Sequence, residues 1–245
     1  MTPGPCIGRG FCGTIGLQIL TITRTVFMIK GVIFDMDGLM FDTERASMRV
    51  WGQQLAKHGW QFTPELGNAI RGRNDAGIRA VLEEAYGPDF EYVPVRDGVR
   101  VGLIELLDAE GMPVKPGLRE LLAWLEENHI PRSIASSSRR VSVEHHCKGA
   151  GVMEYFDTLI CGDMVTHSKP DPEIFLLAAR TMGVAPEECL VLEDSFNGVR
   201  AGHAGGFVTV MVPDMDAPTP EIDALYTRKA GSLLDVLAWL KAGEL

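Results

Sequence analysis

One short stretch limits what this chain can fold into: Lys30-Gly31-Val32-Ile33-Phe34-Asp35-Met36-Asp37-Gly38-Leu39-Met40-Phe41-Asp42-Thr43-Glu44, an apolar run that breaks suddenly into carboxylates and a glycine. Val32, Ile33 and Phe34 are too few for a helix and predict a strand buried on both faces, as in a parallel sheet. The acids then fall at its C-terminal end. Open α/β sheets place their ligand crevices outside the carboxyl ends of their strands. Along extended chain Asp35 and Asp37 project to the same side, about 6–7 Å apart at roughly 3.3 Å per residue, a gap that one reacting group fits.

Downstream, Asp42 or Thr43 is placed to cap a helix with Glu44 close behind, and Met48, Trp51, Leu55 and His58 recur at helical spacing as far as Gly59. Further helices are expected over Pro64–Ile70, Ala76–Tyr86 and Gly98–Glu110, with no strand from Thr43 to about Glu110. After the Pro/Gly hinge at Val114–Gly117, Leu118, Leu121, Leu122 and Leu125 give a helical apolar face, and Ile130–Ala135 reads as the next strand, ending in Ser136-Ser137-Ser138. The rest alternates: helix Arg140–Gly149, strand Thr158–Cys161, a loop to Lys169, and helix Pro172–Met182 capped by Asp171. Strand Leu190–Leu192 leads into Glu193-Asp194, followed by helix Asn197–Ala204, strand Val208–Val212 and helix Leu233–Lys241. Alternation of this kind argues for a parallel sheet covered on both faces.

Composition narrows the partners. With 245 residues, 46% hydrophobic and 23% charged, the chain is an ordinary globular sequence with ample length for a core. A net charge of −10 argues against a nucleic-acid surface, which needs clustered Lys and Arg. Small phosphorylated ligands remain compatible, because one divalent cation and a few basic side chains reverse a local field. The five cysteines, Cys6, Cys12, Cys147, Cys161 and Cys189, form neither a C-x-x-C pair nor a disulfide framework, as suits a reducing cytoplasm. Residues 1–27 are too polar to span a bilayer and match a secretory signal poorly. Met28 is the expected biological start, and the preceding segment is expected to be dispensable.

Four polar clusters thus lie at predicted strand ends: Asp35/Asp37, Ser136, Lys169 in its loop, and Glu193/Asp194. In order and kind, Asp35-Met36-Asp37-Gly38, Ile134-Ala135-Ser136-Ser137-Ser138, Ser168-Lys169-Pro170-Asp171-Pro172 and Val191-Leu192-Glu193-Asp194-Ser195 resemble the four motifs of the haloacid dehalogenase (HAD) superfamily, in its phosphatase and phosphomutase branch. The resemblance covers residues 30–241. It implies an α/β fold with a Rossmann-like, doubly wound parallel sheet in a core of residues 28–42 and 113–245, with an inserted four-helix cap of residues 43–112. It also implies Mg²⁺ as cofactor, held by Asp35 and Asp194 with the backbone carbonyl of Asp37 as a third ligand. By the same resemblance Asp35 is the nucleophile, Asp37 the general acid and base, and Ser136 a phosphate holder with its neighbour Ser137. Lys169 would supply positive charge, and Glu193 would act through a bound water or buttress Lys169.

Taken singly, several of these residues have plainer roles. Ser136 could cap the following helix, Lys169 could be a solvated loop lysine, and Asp194 could cap the helix beginning near Asn197. Asn197 and Arg200 read as surface or packing residues. The loop Arg71-Gly72-Arg73-Asn74 looks like the cap loop that faces the crevice in relatives, which makes Arg73 and Asn74 candidate substrate contacts; a solvent-facing helix connection is the alternative.

Asp37 argues against the dehalogenase branch, whose members attack carbon, need no metal and lack the second aspartate. β-Phosphoglucomutase is the nearer rival. Its cap carries a histidine where this chain has Ser47, a departure that favours water as phosphoryl acceptor. The expectation is a Mg²⁺-dependent phosphatase acting on a small phosphorylated metabolite, a sugar phosphate, and working as a cytoplasmic monomer or weak dimer without nucleic acid or membrane. The alternatives are a sugar-phosphate mutase and a binding or regulatory protein that has lost catalysis.

Overall fold

A computed structural model describes residues 1–2, 29–71, 73 and 75–245. The expectations for residues 1–27, for Met28 and for Asn74 therefore concern positions wholly or almost wholly outside the described residues. Six strands form one parallel sheet in the order β3-β2-β1-β4-β5-β6. They are β1 (Gly31–Phe34), β2 (Arg132–Ser136), β3 (Thr158–Cys161), β4 (Cys189–Glu193), β5 (Val208–Met211) and β6 (Arg228–Lys229). The chain builds β1, β2 and β3 outward, then returns to lay β4 on the other side of β1. That reversal puts a crevice between the ends of β1 and β4.

The opening strand behaves as its composition requires. Val32 and Phe34 are fully buried in one apolar cluster and Ile33 in another, so alternate side chains serve opposite faces of the sheet. One face is covered by α5 (Leu118–Glu127), α6 (Arg140–Gly149) and α10 (Leu233–Ala242). Leu118, Leu121, Leu122 and Leu125 are all fully buried there, each such burial stabilising by about 1.5–3 kcal/mol. The other face takes α7 (Glu173–Met182) and α8 (Phe196–Ala204), through Ile174, Phe175, Ala178 and Ala201.

Between β1 and α5 the chain makes α1 (Thr43–Lys57), α2 (Pro64–Ile70), α3 (Asp75–Tyr86) and α4 (Tyr92–Glu110), which share an apolar cluster of their own around Val50, Trp51, Leu55, Leu82 and Val95. The segments entering and leaving these helices run side by side: Phe41 bridges Val114, the Asp42 N–H donates to the Pro113 carbonyl at 2.8 Å, and the Lys115 N–H donates to Met40 at 2.9 Å. Asp214, which follows β5, clamps both connections, accepting from Lys115 Nζ at 2.5 Å and Arg45 Nη1 at 3.2 Å.

Some boundaries differ from the sequence reading. Helix α4 starts at Tyr92 rather than Gly98, since Pro94 fits a first helical turn and Gly98 lies inside the helix. A Cβ on Gly98 would approach Gln54 Oε1 of α1 to 2.6 Å, so the glycine marks close packing and not an end. Strand β2 begins at Arg132, not Ile130, and β6 and the short α9 (Pro220–Asp223) were not foreseen, being too brief to carry a periodicity. At the start of α1, Asp42 holds the cap position but makes no cap hydrogen bond; its Oδ2 accepts from Arg45 instead. Helix α7 starts at Glu173 with Pro172 in its cap position, so Asp171 lies one residue outside the cap, where its Oδ1 accepts the Glu173 N–H at 2.9 Å.

Candidate active site

The end of β1 delivers Asp35 into the crevice, locked in register by its N–H donating to the Leu192 carbonyl of β4 at 3.0 Å. Across that pair β4 delivers Glu193 and then Asp194. From the loop before α7, Lys169 reaches in with its side chain 5% exposed, so it is no solvated loop lysine. The ammonium spends its donors on Asp35 Oδ1 at 2.5 Å, Glu193 Oε1 at 2.7 Å and the Ala135 carbonyl at 3.1 Å, and lies 4.6 Å from the Phe175 ring centroid. Glu193 is fully buried and buttresses Lys169; its other oxygen accepts from the N–H of Ser195 at 2.7 Å and the Ser195 hydroxyl at 2.9 Å. The Ser195 hydroxyl also receives the Gly198 N–H, which makes Ser195 the cap of α8 and removes that role from Asp194.

Asp35, Glu193 and Asp194 each bring a carboxylate oxygen within 4.8 Å of the others. Three carboxylates face one ammonium, a deficit of two positive charges. Burial pushes the Asp35 carboxyl up to about 7 despite the neighbouring Lys169 ammonium, and burial with the charges of Glu193 and Asp35 pushes Asp194 well up too. Burial also works against the Lys169 ammonium, but the two carboxylates outweigh it and hold its pKa above the ordinary value. Asp194 Oδ1 is buried with no hydrogen-bond partner. A hard divalent cation fits this donor set: oxygen ligands, two missing positive charges and an orphaned carboxylate oxygen. Gly38, at φ +89°, lets the chain turn against Asp194, where a Cβ would lie 2.1 Å from Oδ2. A second grouping, His167, Asp171 and Glu173, is largely exposed, and Glu173 is already spent on the Thr166 and His167 N–H groups.

Asp37 stands apart from that cluster, held by two hydroxyls. Thr43, the first residue of α1, donates to Oδ1 at 2.9 Å, and Ser138 donates to Oδ2 at 2.7 Å. The sequence reading gave no role to either as a holder of Asp37. Thr43 stood out only as a helix cap, and the Ser138 contact spans 101 positions with no local signal. Ser136 ends β2 and is 1% exposed; its hydroxyl accepts the Ser138 N–H at 3.0 Å. Arg139 occupies the cap position of α6, so Ser136 does not cap that helix. Ser137 is exposed, with its carbonyl packed over Gly162. Arg73 is exposed and donates Nε to the Ala69 carbonyl at 2.6 Å, whereas Arg71 crosses to the sheet layer and pairs with Asp216 at 2.7 Å. Arg200 is taken up by Asn197 and Glu221.

A family model for haloacid dehalogenase-like hydrolases matches residues 29–206, the span that holds Asp35, Asp37, Ser136, Lys169, Glu193 and Asp194. The chain belongs to this family. This HAD-like hydrolase has relatives among sugar-phosphate phosphatases that cover about three quarters of its length. Fructose-1-phosphate phosphatase YqaB of Escherichia coli is 31% identical over 184 residues, 74% of this chain and 95% of that protein. The phosphorylated carbohydrates phosphatase of Thermotoga maritima is 30% identical over 178 residues, 73% of this chain and 82% of its own. Among solved structures, CbbY from Rhodobacter sphaeroides in complex with phosphate is similar with a TM-score of 0.73 at 27% identity, over 87% of this chain and 100% of that one. No helix among the described residues is long and apolar enough to cross a membrane.

Proposed function

We propose that this HAD-like hydrolase is a Mg²⁺-dependent phosphatase that removes phosphate from a sugar phosphate through a phospho-Asp35 intermediate. The observation that carries the reading is the carboxylate trio of buried Asp35 and Glu193 with half-buried Asp194, beside a single ammonium at the switch point of a parallel sheet. Relatives named for fructose-1-phosphate, phosphorylated carbohydrates and hexitol phosphate support the substrate class.

Asp35 and Asp194, with the main-chain carbonyl of Asp37, would hold the cation, which when bound supplies positive charge against the phosphoryl oxygens. Lys169 fixes the Asp35 carboxylate through Oδ1 and adds charge where the phosphoryl group arrives. An Asp35 oxygen attacks phosphorus, the ester P–O bond breaks, and the leaving oxygen takes a proton from Asp37. Water then attacks the phospho-Asp35, giving its proton to Asp37 as the acyl phosphate P–O bond breaks and phosphate leaves. Ser136 and the N–H of Ser137 would hold the phosphoryl oxygens, the Ser138 N–H being spent on the Ser136 hydroxyl. We read the helices of residues 43–112 as a cap over the crevice, with Arg73 and Asn74 as its candidate substrate contacts. The acidic net charge supports a monomer or weak dimer that avoids nucleic acid and membranes, and the free thiols of Cys147, Cys161 and Cys189 support a cytoplasmic enzyme.

Ser47 on α1, where β-phosphoglucomutase carries histidine, favours water over a second sugar as acceptor. Assays of phosphate release from p-nitrophenyl phosphate and a panel of hexose phosphates test the reading. Release should need Mg²⁺, stop with EDTA and vanish in Asp35→Asn. Activity surviving in Asp35→Asn would overturn it, and sugar-phosphate isomerisation on adding a bisphosphate would convert it to the mutase alternative.

A further inference from the structure

His146 lies on α6, ten residues past Ser136, and has no place in the reaction described so far. It is buried, 8% exposed, with its ring edge-on to Phe41 at a centroid distance of 6.3 Å and an interplanar angle of 84°. Its Nδ1 is inaccessible to solvent and has no hydrogen-bond partner. The charged group it faces is Asp37: Nδ1 stands 3.9 Å from Oδ1, the oxygen that Thr43 holds. Buried polar atoms without partners are rare in folded proteins and call for an explanation. A contact of 3.9 Å is too long for a hydrogen bond, but a shift of about 1 Å brings it into the usual range.

Resting Asp37 accepts one hydroxyl on each carboxylate oxygen, and its side chain is 39% exposed. To reach a substrate oxygen the carboxyl must turn and give up at least one of them. A carboxyl that trades a fixed hydroxyl for solvent is poorly oriented, because water does not hold its rotation. We infer that His146 is a positioning residue for Asp37, its Nδ1 being the partner that the carboxyl takes up when it leaves Thr43 for the substrate. Imidazole nitrogen suits this task because it donates as N–H and accepts as a lone pair, so the same atom serves both forms of an acid-base carboxyl. The inference rests on the phosphatase reading, in which Asp37 protonates the leaving oxygen.

Leaving-group dependence tests it. An alkyl leaving oxygen, as in a hexose phosphate, needs that proton, while p-nitrophenolate leaves without it, and kcat/KM reports the step up to loss of the leaving group. His146→Leu and His146→Gln should lower kcat/KM for the hexose phosphate at least tenfold and for p-nitrophenyl phosphate less than threefold. His146→Asn, whose amide nitrogen occupies the place of Nδ1, should restore most of the loss, whereas the Gln amide stands nearer the place of Nε2. The Asn and Gln pair decides the matter even if His146→Leu fails to fold. Equal losses on both esters, or equal rates for Asn and Gln, overturn the positioning role while leaving the phosphatase reading intact. A wild-type protein that releases phosphate from neither ester overturns both.

Discussion

Glu193 is completely buried, yet its Oε1 lies 2.7 Å from the ammonium of Lys169. The pair is an anchor for the nucleophile. With Glu193 fixed by Ser195 at the head of α8, and Lys169 fixed by Glu193, the third donor of the ammonium has one place left to aim, and Asp35 is there. Orientation of the reacting carboxylate therefore descends from a helix cap on another strand's loop.

Removing the ammonium should expose how much rests on it. Lys169→Met leaves Asp35 and Glu193 buried without a cation, and breaking buried pairs from one side costs about 3–5 kcal/mol. Lys169→Arg should not rescue, because a planar guanidinium cannot place donors on the same three acceptors. Urea unfolding should show the loss in both variants, together with loss of phosphatase activity. A stability change below about 1 kcal/mol for Lys169→Met would show that the ammonium is not what holds the cluster together.

Helix α8 offers a prediction with an inverted sign. Gly→Ala inside a helix ordinarily stabilises by about 1 kcal/mol. At Gly198 a Cβ would sit 1.6 Å from Glu193 Oε1 and 1.9 Å from its Cδ, so the carboxylate that steadies Lys169 would have to move. Gly198→Ala should therefore lower Tm and reduce kcat at least tenfold. Thermal unfolding of the variant settles it, since an unchanged or raised Tm would mean that the carboxylate has room to shift.

Much of this arrangement was legible in the sequence because its causes are local. Val32, Ile33 and Phe34 are apolar in succession because their strand is buried on both faces, and that alone placed Asp35 at a crevice. The helical face of Leu118, Leu121, Leu122 and Leu125 was equally open to reading, and all four are buried. What escaped is made of contacts between segments far apart in the chain. Thr43 and Ser138 converge on Asp37 from two different loops, and no spacing rule pairs a residue with one 101 positions away. His146 looks like any polar helix residue until the fold buries it against Asp37. The sequence predicts a helix that starts at Gly98; only the nearness of Gln54 explains the place of this glycine inside one.

Cation binding should depend on pH in a definite direction. The Asp35 carboxyl, ordinarily at 3.8, is pushed up to about 7 by burial, and Asp194 moves the same way. Protons and Mg²⁺ then compete for the same oxygens, so below about pH 7 each unit of acidification should weaken Mg²⁺ binding by up to about tenfold per proton displaced. Without the cation, the folded state keeps a proton on Asp35 that the unfolded chain gives up above about 4. Stability from this group is thus full below 4 and lost as pH rises toward 7. Mg²⁺ counters that loss only where the carboxylates are ionised. Thermal unfolding with EDTA or Mg²⁺ at pH 5, 6, 7 and 8 should give a rise in Tm with Mg²⁺ that is small at pH 5, grows through pH 6 and 7, and levels off at pH 8. A rise of the same size at pH 5 and pH 8 would mean that Mg²⁺ binds somewhere other than the carboxylates at the ends of β1 and β4.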